Sequence, residues 1–370
     1  MVSVINILIN RASVLLDRIR RRQQIIALRK VITRNFKDLD VRRKLTKKQK
    51  QAVNDFYIGL IGKKVPLYAH EYFYSRTGVF SVDYIPKDFY TLDLLTKANV
   101  WQFDGAYDDK NIADIIFAGE NVVHTYLKNM NGYYYYEGRP VSEDEAVVLC
   151  SNMDRVIIKP AMKTHGSGVQ QITVKGGVTN LNGLCIRDVF RQYGRNFMIQ
   201  ACINQHKDLA ALNPTSVNTM RILTYRSGME VLLIYSVIRI GRQGQVIDNQ
   251  CAGGISTAID EFGRLGKAAF GGYSEDNVLT TDSGVVLEGY QIPSYEKAVA
   301  FVKRLHLKLP YFDLIGWDIS IEENGEPIMI EYNTRPGLSQ SAFCSGMGKN
   351  TERVIRELWP RPNTRYKDYC

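Results

Sequence analysis

The stretch from Gly316 to Gln340 constrains this chain more than any other. Residues 317–321 and 327–332 are two short apolar-rich runs, and Asn324-Gly325 between them is the pair that supplies the positive φ of a tight hairpin turn. On such a hairpin Asp318 lies on the first strand. Glu331 and Asn333, two apart on the second, point to one face. Two carboxylates and an amide carbonyl suit a hard divalent cation such as Mg²⁺, which takes few protein ligands and lets phosphates and water complete its octahedron. The plainer alternative is that Asp318 is a solvated strand residue and that Glu331 pairs with Arg335. Against it, carboxylates are rare in strands this apolar unless paired or metal-bound.

A chain of 370 residues with 45% hydrophobic content can bury one large core or two to three lobes. No window approaches the roughly 18 uninterrupted apolar residues of a membrane span, and the apolar residues 1–10 lack the basic leader of a secretory signal. A cytoplasmic protein is expected. Its six cysteines are scattered with no Cys-x-x-Cys pair, which argues against a zinc site or a disulfide framework.

The net charge of +10 is concentrated in one segment. Residues 11–50 carry 15 Lys and Arg against three Asp, whereas residues 51–370 hold 33 against 35 acidic residues. Residues 12–34 read as a helix with Leu15, Ile19 and Ile26 near one side and Arg18, Arg20, Arg21, Arg22 and Arg29 around them. The alternatives for it are a solvated face, an anionic membrane surface to which the protein is peripheral, or an anionic glycan. Nucleic acid is disfavoured, since Phe36 is the segment's one aromatic residue.

A second helix is expected from Thr46, an N-cap with Gln49 three residues on, to Ile61 before Gly62. Residues 65–100 mix aromatics with turn signals. His70 among them is a candidate substrate contact, though a lone His in aromatic company more often packs. Asn131-Gly132 predicts a hairpin turn into an aromatic strand at 133–136. Residues 155–159 form a short strand ending at Lys159, whose ammonium can meet a phosphate at low entropic cost. Gly166-Ser167-Gly168 then lets backbone amides approach anionic oxygens as a flap, before a returning strand from Gln171 to Val174. No Walker loop occurs anywhere in the chain. Strands are expected at 197–203, 218–225 and 229–240, and helices at 294–309 and 351–358.

Asp318 followed thirteen residues later by Glu-x-Asn-x-Arg-Pro-Gly resembles the metal-binding end of the ATP-grasp fold. Val217-Asn218-Thr219-Met220-Arg221 and the aromatic region before residue 100 resemble its sugar-transfer-associated subfamily. The resemblance implies an α+β architecture of two α+β lobes gripping ATP, behind a helical basic N-terminal segment. It divides the chain into that segment (1–50), a lobe preceding the grasp (51–150), a lid (151–205) and a C-terminal subdomain with the metal site (206–370). It also implies that Lys110, in Asp109-Lys110, reaches the nucleotide phosphates along with Lys159 and the flap. Gln200, Ala201 and Cys202 would form the hinge against adenine, Asp208 would hold the ribose, and Arg221 would contact the transferred phosphoryl group. Asp318, Glu331 and Asn333 would hold Mg²⁺, and Arg335 would stabilise the oxyanion. Asp248, Asn249, Gly253, Gly254 and Ser339 are candidate acceptor contacts.

The implied activity is ligation of a carboxylate to an amine through an acyl phosphate, in surface-polysaccharide synthesis. A kinase acting on a hydroxyl and a nucleotide-binding scaffold are the alternatives.

Overall fold

The computed structural model describes residues 2–162, 168–242, 244, 253–272 and 277–362, with side chains from residue 15 onward. The chain forms two compact units, residues 1–98 with 343–370, and residues 99–342.

In the first unit a long helix, α1 (Val2–Lys37), extends past both ends of the expected 12–34. It is followed by α2 (Lys47–Ile61) and α3 (Tyr68–Thr77). The start of α2 is set by sequence chemistry: the Thr46 hydroxyl accepts from the Gln49 N–H while the Gln49 side chain accepts from the Thr46 N–H, and Gly62 closes the helix at φ 70°. Leu39, Ala69, Tyr72, Phe73 and Tyr84 form this unit's core, with Ile32 and Phe36 of α1 packed on it. Arg21 and Arg29 turn inward, pairing with Asp93 at 2.9 Å and Asp88 at 2.6 Å. The helix Thr351–Leu358 belongs here and spans the residues expected of it.

The second unit is built on two sheets. The seven-stranded sheet comprises β1 (Thr125–Met130), β2 (Tyr133–Tyr136), β3 (Arg139–Val141), β4 (Met153–Pro160), β5 (Gln170–Lys175), β6 (Val178–Thr179) and β7 (Phe197–Ala201), in the order β3-β2-β1-β7-β4-β5-β6. Every pairing in it is antiparallel. Asn131 (φ 54°) and Gly132 (φ 96°) make the two-residue turn that sets Met130 opposite Tyr133. Leu127, Ile158, Phe190 and Phe197 are central to the core beneath this sheet.

The five-stranded sheet comprises β8 (Thr219–Ser227), β9 (Glu230–Ile240), β10 (Ile255–Ile259), β11 (Leu314–Ile321) and β12 (Pro327–Asn333), in the order β10-β9-β8-β11-β12. Its apolar face packs on the helix Tyr295–His306 around Trp317, Phe301, Val302 and Leu305. β11, paired on both edges by β8 and β12, is buried at every residue.

The β11–β12 turn departs from the expected form. Among the described residues only Gly325 of the Asn324-Gly325 pair takes a positive φ (82°), and the Gly325 N–H donates to the Glu322 carbonyl. The turn therefore runs over Glu322–Gly325, with the Asn324 side chain accepting from the Glu326 N–H.

Candidate active site

β11 and β12 set Asp318 directly opposite Glu331, and β8 sets Arg221 directly opposite Asp318 on the other side. In an antiparallel sheet such partners share a face, so Arg221, Asp318 and Glu331 form a row across three strands. Asn333 pairs with Gly316, two residues from Asp318, and its amide donates to the Asp318 carboxylate. A bulge between Asp318 and Ile319 leaves Ile330 without a partner in the ladder and kinks the ribbon beside the row.

A cleft of about 520 Å³ lies over this row, lined by residues of both sheets. Lys110, Lys159, Arg239, Asp318 and Glu331 line one part of it, and Gln200, Ala201, Cys202 and Asn204 another. The volume falls in the range of small-molecule sites.

Charge in the cleft is arranged unevenly. Arg221 grips Asp318 through two bonds of 2.6 and 2.7 Å, and Arg239 approaches the same carboxylate at 3.3 Å. Burial alone would raise the Asp318 carboxyl; the two guanidiniums overcome it and hold the group below the usual carboxylate range. Glu331 has a looser partner, Lys110 at 3.5 Å, and is more exposed than Asp318. The Lys159 side chain is buried at the end of β4. Burial pulls its ammonium down to about 8, with Glu331 opposing the shift and Lys110 adding to it.

The oxygen donors fit a hard cation. Glu331 lines the cleft; Asn333 does not, but its amide donates through nitrogen to the Gly316 carbonyl at 3.4 Å, which leaves its own carbonyl oxygen as an acceptor. Asp318 is the constrained member, because Arg221 already occupies both of its oxygens.

Several expected site residues stand elsewhere. Arg221 is committed to Asp318 and does not line the cleft; Arg239, which does, was missed. Its signal was a lone cation near the end of the apolar strand β9. Arg335 pairs with Asp104 rather than with Glu331, its guanidinium carbon stands 4.6 Å from the Trp101 ring centroid, and it does not line the cleft. Asp208 is half-exposed beside His206 and lines no part of the cleft; Glu323, from the hairpin turn, does. His70 is fully buried in the first unit between Tyr57 and Tyr84, its Nε2 bonded to the Val82 carbonyl, and burial lowers it to about 4. It is enclosed among aromatic rings and does not line the cleft.

The Ser339 N–H donates to the Tyr235 hydroxyl, which donates to the Gly337 carbonyl, fixing the segment after the hairpin. Neither Ser339 nor Gly253 nor Gly254 lines the cleft. Gly168 is described, at φ 79° against the Pro160 ring. Gly166, Ser167, Asp248 and Asn249 lie outside the described residues.

Arg155 is a second missed cleft residue. Its φ of 39° falls at a shift in the β4–β5 register, and its guanidinium reaches Asn204 at 2.7 Å.

Three solved structures are similar to parts of this chain at low identity. The L-amino acid ligase of Bacillus licheniformis matches at 11% identity and TM-score 0.40, over 70% of this chain and 49% of the ligase. A biotin carboxylase from Campylobacter jejuni matches at 12% and 0.43, over 72% and 50%. The D-alanine–D-alanine ligase of Bacillus anthracis matches at 15% and 0.40, over 69% and 68%. This chain thus spans about half the length of the first two. No curated protein matches it in sequence. The family model described as sugar-transfer associated ATP-grasp matches residues 92–354. With that match covering more than half its length, the chain belongs to the sugar-transfer-associated ATP-grasp family.

Proposed function

We propose that the protein is an ATP-dependent carboxylate–amine ligase that joins an amino acid or another amine to a sugar carboxylate of a cell-surface polysaccharide. The observation that carries this reading is a cleft whose lining brings the cations Lys110, Lys159 and Arg239 together with the carboxylates Asp318 and Glu331, with Arg155 and Glu323 also on its wall. A triphosphate needs that cationic cradle. The carboxylates suit the magnesium that accompanies it.

In this reading Lys110 and Lys159 hold the phosphates of ATP, and the backbone of Gln200 to Cys202 meets the base. Arg239 takes the phosphoryl contact that the sequence assigned to Arg221, while Arg221 keeps Asp318 ionised and oriented. Glu331, Asn333 and Asp318 would hold Mg²⁺, whose contribution is to neutralise charge on the triphosphate. An oxygen of the substrate carboxylate attacks the γ-phosphorus, the bond to the β-phosphate oxygen breaks, and ADP leaves. The amine nitrogen then attacks the acyl carbon of the acyl phosphate. Inorganic phosphate departs with the bonding pair, and the amide nitrogen loses a proton to solvent. Positioning and electrostatics carry the reaction, and no nucleophilic side chain takes part.

The test is ADP release across a panel of uronic acids and amines, with mass spectrometry of the product. The expected result is ADP formation that requires both partners and yields an amide. A stable phosphorylated product formed without amine would instead establish a kinase. Thermal stabilisation by Mg-ATP with no turnover across the panel would establish a binding scaffold. Glu331→Gln should abolish ADP formation, and retained turnover would overturn its assignment to the metal.

A further inference from the structure

We infer that α1 is a docking surface for an anionic lipid bilayer, which it meets lengthwise through the side facing away from the first unit. This inference is independent of the chemistry proposed for the cleft.

Two groups of side chains on α1 separate by direction. Leu28, Ile32, Asn35 and Phe36 are partly or fully covered, and Arg21 and Arg29 pin the helix to Asp93 and Asp88. The other side is bare. Leu15 is 58% exposed, Ile19 46% and Ile26 57%. At about 100° per residue these three fall within about 40° of one another, and the exposed Leu16 (53%) and Val31 (41%) lie farther round the same outward side. Arg22 and Lys30, both exposed, flank that stripe, and Arg18 and Arg20 are exposed farther round the helix. Arg21 and Arg29 are thus paired within the unit, and Arg18, Arg20, Arg22, Lys30, Arg34 and Lys37 are left exposed.

Aliphatic residues bordered by cations on one helix side match the boundary between headgroups and acyl chains, where apolar burial and attraction to anionic lipid act together. A soluble polyanion would use the cations and gain nothing from Leu15, Ile19 and Ile26. No helix among the described residues is long and apolar enough to cross a bilayer, so the contact proposed is with the surface. The local charge is of the right sign and density, since residues 11–50 hold 15 Lys and Arg against three Asp.

The experiment is co-sedimentation of the full chain with phosphatidylcholine vesicles with and without phosphatidylserine, beside binding to polygalacturonate as a soluble polyanion. The unaltered chain should sediment with the anionic vesicles and not with neutral ones. Replacing Leu15→Ser, Ile19→Ser and Ile26→Ser together should weaken vesicle binding at least tenfold and leave polygalacturonate binding unchanged. Replacing Arg18→Glu, Arg22→Glu and Lys30→Glu should weaken vesicle binding on the order of a hundredfold, at roughly fivefold per cation. Failure of the unaltered chain to bind anionic vesicles would overturn the inference. So would serine variants that bind them as well as the parent, in which case the cations serve a polyanion. The two lipid compositions compared on the unaltered chain decide the matter even where a variant misfolds.

Discussion

Lys159 and Asp318 show how one cleft holds opposite charges in opposite ways. The ammonium of Lys159 is buried without a close carboxylate, so its value falls to about 8, against about 10.4 in an unfolded chain. Its folded value is the lower one. Below about pH 8 the folded protein therefore carries a buried charge at a cost, and that cost is relieved as pH rises from about 8 to about 10.4. Stability should climb in that window, and Lys159→Met should remove the climb, as urea unfolding at several pH values would reveal. ATP affinity should move the other way. The KM for ATP should increase above about pH 8, where the amine is neutral, and Lys159→Arg should flatten that profile; an unchanged profile would remove Lys159 from the phosphate site. Asp318 is instead held between two guanidiniums, those of Arg221 and Arg239. Asp318→Ala strands the buried Arg221 guanidinium and should destabilise the protein by about 3–5 kcal/mol, measured by equilibrium unfolding. Loss below about 1 kcal/mol would mean that water or a ligand replaces the carboxylate.

At the scale of elements, local chemistry was legible and long-range pairing was not. Thr46, Gln49 and Gly62 announced both ends of α2, because a cap involves residues within one turn of each other. Thr46→Ala should cost about 1 kcal/mol, checked by thermal or urea unfolding, while Thr46→Ser should be nearly silent. Asn131-Gly132 likewise announced its turn, both residues taking positive φ. Asn324-Gly325 misled, since the same dipeptide also serves a longer turn in which Gly325 alone is left-handed and Asn324 acts through its side chain. Asp318 and Glu331 could be placed on facing strands because one hairpin joins them. The grip of Arg221 on Asp318 spans 97 positions and follows from β8 lying beside β11, a neighbour relation no local pattern encodes. The same ignorance hid Arg239, which lines the cleft and lies 3.3 Å from the Asp318 carboxylate. Arg335 could not be located either, as its partners Asp104 and Trp101 lie more than 200 residues earlier.

For the whole molecule, the division into units makes a prediction about where nucleotide acts. Every residue lining the cleft falls between Lys110 and Glu331, inside the unit of residues 99–342. The sequence offered no sign that residues 343–370 join residues 1–98 in a separate unit, because the segment after the hairpin carries no break in composition. Mg-ATP bound in the cleft should stabilise the folded state by about 2.7 kcal/mol at a hundredfold excess over its Kd. Amide hydrogen exchange can locate that stabilisation. Protection should increase in peptides from β4, β7 and the β11–β12 hairpin, whose side chains form the cleft wall, and peptides from α2 should exchange as before. With Glu331→Gln the gain from magnesium should vanish while that from ATP alone persists, because Lys110, Lys159 and the hinge remain. Protection confined to the first unit would place the nucleotide outside this cleft and remove the ground for every role assigned within it.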